Sequence, residues 1–231
     1  MTRTRIKFCG VTRAADAELC AELGVDAVGL NFYPKSPRCV TVPVAAGLVS
    51  KLGPFVCPVG LFVNAPQFQM VSVAEYTGLR AVQTYSDAPS EFDFGQLGWL
   101  PAFRVKDEAG IAAVRGFLSA SRVSDDAGSG SPASSLTRLA KRPAAIVIDS
   151  FVAGEMGGTG HVAPWHLLAG LDLGVPLILA GGLTPDNVAD AIRQVRPWGV
   201  DVASGIESAP GVKDAGRMRA FVSAVREADA G

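Results

Sequence analysis

The sequence predicts an α/β protein, a single (β/α)8 TIM barrel spanning residues 1–231. Two observations predict it: eight short apolar runs of strand length recur along the chain, and segments with helical spacing lie between them. Alternation without hairpin turns favours parallel strands joined by right-handed crossovers, and eight such units in a chain of this length close into a barrel. A doubly wound parallel sheet is the alternative.

The strand candidates are, in chain order, RIKFC, DAVGLNF, CPVGLFV, LRAVQ, LPAFRV, AAIVID, PLILA and VDVAS. Helical spacing marks residues 13–23, 66–76 and 184–195 between them. In the last of these, the stretch Thr184-Pro185-Asp186 predicts the helix start, with a hydroxyl cap, a proline at the first helical position and an acid in the first turn.

One segment interrupts the alternation. Residues 119–135, SASRVSDDAGSGSPASS, are rich in Ser, Gly and Asp and have no apolar periodicity. We expect a flexible insertion here. Because it precedes the sixth strand, it should lie at the amino-terminal face of the barrel, away from a catalytic pocket.

Composition argues against several classes of partner. The formal net charge is -1, with 21 Lys and Arg against 22 Asp and Glu, so no global field attracts nucleic acid or an anionic membrane. No apolar run has the length of a signal-peptide core or a membrane helix. We therefore expect a soluble cytoplasmic protein with a small-molecule site, either a monomer or a homodimer.

Cysteine and histidine usage gives no sign of a metal site. The chain has two histidines, His161 and His166, which we expect at the surface. None of the cysteines forms a CxxC pair, so reduced thiols are expected and no metal is predicted. The four cysteines are Cys9, Cys20, Cys39 and Cys57.

Two reactive residue types end predicted strands. Cys9 ends the first strand and Asp149 the sixth, and the carboxyl ends of barrel strands are where catalytic groups lie. Asp149 follows an apolar run, where an aspartate packs poorly, so it is a candidate acid or base. The alternatives are that Cys9 is a small buried hydrophobe and that Asp149 caps the next turn.

Glycine-rich loops follow three of the later strands. They are MGGTG at residues 156–160, Gly181-Gly182 after the seventh strand, and Ser204-Gly205 after the eighth. Backbone amides free of side chains can hold an anion, and phosphate sites of barrels recur after strands seven and eight. A phosphorylated ligand is predicted, whereas the GxGxxG dinucleotide fingerprint is absent.

The first strand carries a polar face. Alternation places Arg5, Lys7 and Cys9 on one side, pointing into the barrel. A buried lysine needs a partner, and we hypothesise that Asp201 on the neighbouring eighth strand supplies it. The Lys7 cation would also favour the thiolate of Cys9, and Gly10 would leave backbone room for a ligand.

Six motifs carry a resemblance along nearly the whole chain. The sequence resembles the phosphoribosylanthranilate isomerase family of the tryptophan pathway. The resemblance implies a (β/α)8 barrel that needs no cofactor and carries out an Amadori rearrangement. It converts N-(5-phosphoribosyl)anthranilate to 1-(2-carboxyphenylamino)-1-deoxyribulose 5-phosphate. The motifs are KFCGVT at 7–12, SPR at 36–38, GLFVN at 60–64, IDSFVAGEMGGTG from 148, LAGGLTPDNV from 179 and DVASGIESAPGVKD from 201.

The resemblance also implies roles for individual residues. Asp149 would be the general acid that opens the ribose ring, and Cys9 the general base that removes the C2 proton. Arg38 would bind the anthranilate carboxylate, its alternative being a surface arginine in a proline-rich loop. Apart from the resemblance, Lys7 and Asp201 would support the site through the ion pair hypothesised above. The expected phosphate-binding residues are Gly158, Gly160, Gly181, Gly182, Ser204 and Gly205.

One motif departs from the family. A QLHG-like sequence usually follows the fourth strand, and here residues 83–86 read QTYS. Tyr85 is expected either to take part in the pocket by stacking or hydrogen bonding or to point away. The related isomerase of histidine synthesis typically carries aspartate where Cys9 stands, so Cys9 argues against that activity. The intact pair of Cys9 and Asp149 argues against a barrel that only binds a phosphosugar.

Overall fold

Eight parallel strands close into a barrel in simple chain order, β1 to β8, with β8 pairing back to β1. The computed structural model describes residues 3–86, 92, 94–126, 143–149 and 165–231, the side chains of 121–126 excepted. The predicted fold class is confirmed, and the doubly wound alternative is wrong because the sheet has no free edge. The strands are β1 (Arg5–Cys9), β2 (Ala27–Asn31), β3 (Cys57–Val63), β4 (Ala81–Tyr85), β5 (Gly98–Arg104), β6 (Ile146–Asp149), β7 (Leu177–Ala180) and β8 (Gly199–Val202).

Helices cover the outside of the barrel. Glycines in the left-handed conformation end two of the predicted ones, Gly24 after α1 and Gly78 after α3. A short hairpin of β9 (Glu207–Ala209) and β10 (Val212–Lys213) follows the barrel. The helices among the described residues are α1 (Ala14–Leu23), α2 (Val42–Val49), α3 (Gln67–Thr77), α4 (Glu108–Asp126), α5 (Val188–Val195) and α6 (Ala215–Ala230), and none is long and apolar enough to cross a membrane.

Strand β4 begins two residues later than its apolar run predicts. The backbone N–H of Leu79 bonds back to the Ala74 carbonyl and so completes the end of helix α3 instead of joining the sheet. The strand therefore runs on through Thr84 to Tyr85. Period-two alternation then places Gln83 and Tyr85 on the same, inward face.

Two predicted helix boundaries are also wrong. Helix α5 begins at Val188, not at Thr184, because the Asn187 side chain accepts a bond from the Thr184 N–H and closes a separate turn first. Helix α4 continues to Asp126, so residues 119–126 belong to it and not to an insertion. The first helix-breaking residues of that segment come only at Gly128 and beyond. Residues 127–135 lie outside the described part of the chain.

The barrel has apolar packing on both sides of its wall. The outer cluster packs strand residues against helices, with Phe8 edge-on to Phe221 at 5.9 Å between ring centroids. Polar inward side chains, including Gln83 and Asp201, are buried near the carboxyl ends of the strands. The inner cluster fills the barrel below them and consists of Val59, Ala81, Leu100, Ala145, Val147, Ile178 and Ala180.

Candidate active site

A cavity of about 300 Å³ opens at the carboxyl ends of the strands. It brings together residues from both ends of the chain that the sequence analysis selected separately. Those of them that line it are Cys9, Arg38, Asp149, Gly181, Gly182, Asp201 and Ser204. Asn31, Leu61, Gln83 and Tyr85 complete much of its wall.

Lys7 and Asp201 form the predicted ion pair. The Lys7 ammonium lies 2.8 Å from Asp201 Oδ2, and both side chains are buried. The pair follows from the register, since Lys7 stands opposite Asp201 where β1 meets β8. Gly29 on β2 leaves room for the side chains of Cys9 and Lys7. A methyl group at this position would lie 2.9 Å from Cys9 Sγ and 3.1 Å from Lys7 Nζ.

The thiol of Cys9 is a weaker acid than we hypothesised from Lys7 alone. Burial, together with the nearby Asp201 carboxylate, outweighs the attraction of Lys7 and Lys213 and raises the pKa of Cys9 above its ordinary value of 9.0. Lys7 favours the thiolate, as hypothesised, but burial is the larger effect. The Asp201 carboxylate opposes Lys7, and desolvation decides the direction.

Gly10 makes room for Arg38 and not, as we predicted, for a ligand. Its φ is +71°, and a Cβ built there would lie 2.4 Å from Arg38 Cδ. The arginine side chain thus crosses directly over the backbone that follows Cys9. Both the left-handed conformation and the close approach require glycine at this position.

Arg38 is held at the cavity by a paired hydrogen bond to Glu207. Its Nε donates to Glu207 Oε1 at 2.8 Å and its Nη2 to Oε2 at 2.6 Å. The side chain is only 22% exposed, which contradicts the alternative of a surface arginine. Ser36 supports the loop by accepting the backbone N–H of Arg38 at 3.1 Å.

Tyr85 takes part in the pocket by hydrogen bonding. Its hydroxyl donates to Asp149 Oδ2 at 3.4 Å, and the Arg104 guanidinium lies 5.9 Å from the centre of its ring. Burial and the charge of Asp149 raise the pKa of Tyr85 well above 10.0, so the phenol keeps its proton. The residue that departs from the family motif is thus a donor to the candidate acid.

The loops after β7 and β8 meet at one side of the cavity. Gly181 and Gly182 both have positive φ, 92° and 65°. A Cβ on Gly205 would lie 1.9 Å from the Leu183 carbonyl oxygen, so the two loops are in backbone contact. Gly181, Gly182 and Ser204 line this side of the cavity, and the backbone amides of such glycine loops are suited to bind a phosphate. Gly158 and Gly160, the other two predicted phosphate ligands, lie outside the described residues.

Sequence reasoning missed two buried charges beside this site, Glu207 and Lys213. The Lys213 ammonium donates to the carbonyls of Cys9 at 2.6 Å and Ala203 at 2.9 Å, and to Glu207 Oε1 at 3.0 Å. Burial alone would raise the pKa of Glu207, but the hydrogen bonds from Arg38 and Lys213 lower it below 4.5. Both residues stand within the last resembling motif, and nothing local in it signals that they are buried.

Gln83 also went unassigned. It is fully buried and lines the cavity next to the Tyr85 phenol, and within the described part of the chain its amide makes no hydrogen bond of regular geometry. The same holds for Oδ1 of Asp201. Buried polar atoms without partners are costly, so these atoms suit a polar ligand in the cavity.

The comparison with known families shows to which family the chain belongs. A family model described as N-(5'-phosphoribosyl)anthranilate (PRA) isomerase matches residues 6–224. The chain belongs to this isomerase family. The phosphoribosylanthranilate isomerase of Pseudomonas aeruginosa is 42% identical over 229 residues, which cover 98% of this chain and 97% of that one.

Solved structures of the isomerase family share the fold over nearly the whole chain. The crystal structure of phosphoribosylanthranilate isomerase from Thermotoga maritima has a TM-score of 0.81 and 32% identity, covering 97% of this chain and 99% of that one. A second isomerase structure, in complex with reduced 1-(o-carboxyphenylamino)-1-deoxyribulose 5-phosphate, has a TM-score of 0.76 and 31% identity, with the same coverage.

Proposed function

We propose that the chain catalyses the Amadori rearrangement of N-(5-phosphoribosyl)anthranilate to 1-(2-carboxyphenylamino)-1-deoxyribulose 5-phosphate in tryptophan biosynthesis. One observation carries the proposal: a thiol, a carboxyl group and an arginine line one cavity in a member of this isomerase family, beside two glycine loops. The substrate has a group for each of them, namely a C2 proton, a ring oxygen, a carboxylate and a phosphate. The reaction is general acid and base catalysis without a cofactor.

Asp149 acts as the general acid. Its proton passes to the ribose ring oxygen, the bond between C1 and that oxygen breaks, and the nitrogen lone pair forms the C1 iminium. The Tyr85 hydroxyl donates to Oδ2 of Asp149. That bond favours the proton on the other oxygen, Oδ1, and stabilises the carboxylate left behind.

Cys9 acts as the general base. The thiol first loses its proton to solvent. The thiolate then takes the C2 proton, the C–H electrons form the C1–C2 double bond, the C1–N π electrons return to nitrogen, and the neutral enolamine tautomerises to the ketone. The iminium cation forms in the same cavity and favours the thiolate by attraction. Since burial raises the pKa of Cys9, the thiolate is a strong base once formed.

The two ends of the substrate fix its orientation. Arg38 binds the anthranilate carboxylate, a planar group that matches a guanidinium. Lys7 and Asp201 support the thiol from below, since they are paired beside it. At the other end the phosphate is held by backbone amides and one hydroxyl, contributed by Gly158, Gly160, Gly181, Gly182, Ser204 and Gly205.

The proposal extends to the setting of the enzyme. We place it in the cytoplasm as one barrel domain over residues 1–231, with a phosphosugar substrate and no nucleic-acid partner. Free thiols at Cys9, Cys20, Cys39 and Cys57 fit a reducing compartment. The protein is proposed to be either a monomer or a homodimer. The homodimer is included because the Phe55 side chain is 96% exposed, and subunit contacts cover such side chains.

The test is the loss of substrate fluorescence, with phosphoribosylanthranilate generated in place. Wild type should turn over, and Cys9→Ala and Asp149→Asn should each lower kcat by about a hundredfold or more. Cys57→Ala is the matched control, because this thiol lies at the start of β3 and does not line the cavity. An inactive wild type, or full activity in either variant, would refute the assignment.

A further inference from the structure

The hairpin after the barrel inserts two opposite charges beneath the cavity rim. The side chains of Glu207 and Lys213 are 4% and 0% exposed, and they pair at 3.0 Å. Arg217 fixes the hairpin from the far side by donating to the backbone carbonyl of Glu207. Burying such a pair is costly unless its donors and acceptors are satisfied, and here the groups that satisfy them lie around the cavity.

Glu207 holds the guanidinium of Arg38 by one edge only. The pairing uses Nε–H and one hydrogen of Nη2. The other edge, between Nη1 and Nη2, has one in-plane hydrogen on each nitrogen. These two hydrogens form a fork that can bind a second carboxylate. Glu207 thereby sets the direction in which Arg38 presents that fork to the cavity.

Lys213 connects this arginine to the rest of the site. An ammonium has three donors, and here they go to Glu207 and to the carbonyls of Cys9 and Ala203. Cys9 carries the candidate base, and Ala203 directly precedes Ser204 of the phosphate loop. A single buried cation therefore joins the carboxylate, base and phosphate ends of the cavity.

We propose that Glu207 is the positioning residue of the carboxylate subsite, with Lys213 as its anchor. The inference rests on the proposed function, in which Arg38 binds the substrate carboxylate. Glu207 acts through Arg38 and does not touch substrate. Its removal should therefore matter only for substrates that carry the carboxylate.

The experiment compares two substrates, phosphoribosylanthranilate and the analogue made from aniline, which lacks the carboxylate. Glu207→Gln keeps an oxygen for Arg38 but loses the charge that orients it. On the anthranilate substrate kcat/KM should fall about tenfold or more, mainly through KM, whereas on the aniline substrate it should change by less than about threefold. The appearance of the product C1 methylene by NMR reports both reactions.

A double variant and a control separate positioning from folding. In an Arg38→Ala background, Glu207→Gln should cause no further loss on the anthranilate substrate. Ser208→Ala, in the same hairpin but exposed, should leave both substrates unaffected. If Glu207→Gln leaves Lys213 unpaired and lowers the melting temperature, Glu207→Gln with Lys213→Met removes both charges and should keep the substrate difference.

Two results would overturn the inference. Equal losses on both substrates would mean that Glu207 only maintains the structure. An unchanged kcat/KM on the anthranilate substrate would mean that Arg38 needs no orientation. Both are read against an active wild type, so they are distinct from a failure of the proposed function, in which wild type itself would be inactive.

Discussion

Alanine at position 10 should damage the protein in two separable ways. A non-glycine residue in the left-handed conformation costs about 1–2 kcal/mol, and Gly10 has φ of +71°. The new methyl would also lie 2.4 Å from Arg38 Cδ, so the arginine must shift away from Glu207. Losing one charge-assisted hydrogen bond costs about 1.5–3 kcal/mol, which gives a total near 2.5–5 kcal/mol.

Urea unfolding of four proteins measures the two parts: wild type, Gly10→Ala, Arg38→Ala and the double variant. With Arg38 shortened to alanine, the 2.4 Å approach to Cδ is gone, and the backbone cost remains with a milder 3.2 Å contact to the Cβ that alanine keeps. The coupling free energy between the two sites should therefore be about 1.5–3 kcal/mol. Activity should follow, since Gly10→Ala displaces the group proposed to bind the substrate carboxylate.

The opposite result is simple to recognise. If Gly10→Ala costs the same free energy of unfolding with and without Arg38, the close approach of the two residues has no energetic weight. The substitution would then act only through the backbone, and the explanation given for this glycine would be wrong.

Two further substitutions test the phosphate end and the thiol. Gly205→Ala should force the loops after β7 and β8 apart, because its Cβ would lie 1.9 Å from the Leu183 carbonyl oxygen. KM and the inhibition constant for inorganic phosphate should then rise together by about tenfold or more, and unchanged phosphate inhibition would contradict the assignment. Asp201→Asn should lower the pKa of Cys9, because the carboxylate raises that pKa and compensates Lys7. The measurement is the pH dependence of Cys9 alkylation by iodoacetamide, followed by peptide mass spectrometry, and its midpoint should move to lower pH. Asp190→Asn, at an exposed position, is the control and should leave the midpoint unchanged. A midpoint that moves to higher pH would refute the electrostatic account.

The fold was predictable because barrel strands repeat one local pattern. All eight apolar runs became strands, since each is short, apolar and separated from the next by a crossover segment. Boundaries failed where side chains or backbone groups made local bonds that compete with regular structure. Asn187 delays helix α5 in this way, and the Leu79 N–H delays β4.

Contacts of the site were predictable where residues of complementary charge lie on adjacent strands. Lys7 and Asp201 could be paired from alternation and strand adjacency alone. The bond from Arg38 to Glu207 could not, because it joins residues 169 positions apart through two loops whose course no periodicity fixes. The direction of the Cys9 pKa shift was missed because it depends on opposing burial and charge effects that only coordinates can weigh.

The contacts around Cys9 also bear on how the chain is made. Lys7 and Asp201 are 194 positions apart, and Cys9 and Lys213 are 204 apart, so both contacts await the last barrel strand and the hairpin after it. A nascent chain that ends at β7 contains Lys7 and Cys9 but neither Asp201 nor Lys213. The burial that raises the pKa of Cys9 is therefore complete only when the last strand and the hairpin are in place. Barrel closure therefore buries the same thiol that is proposed to act as the base.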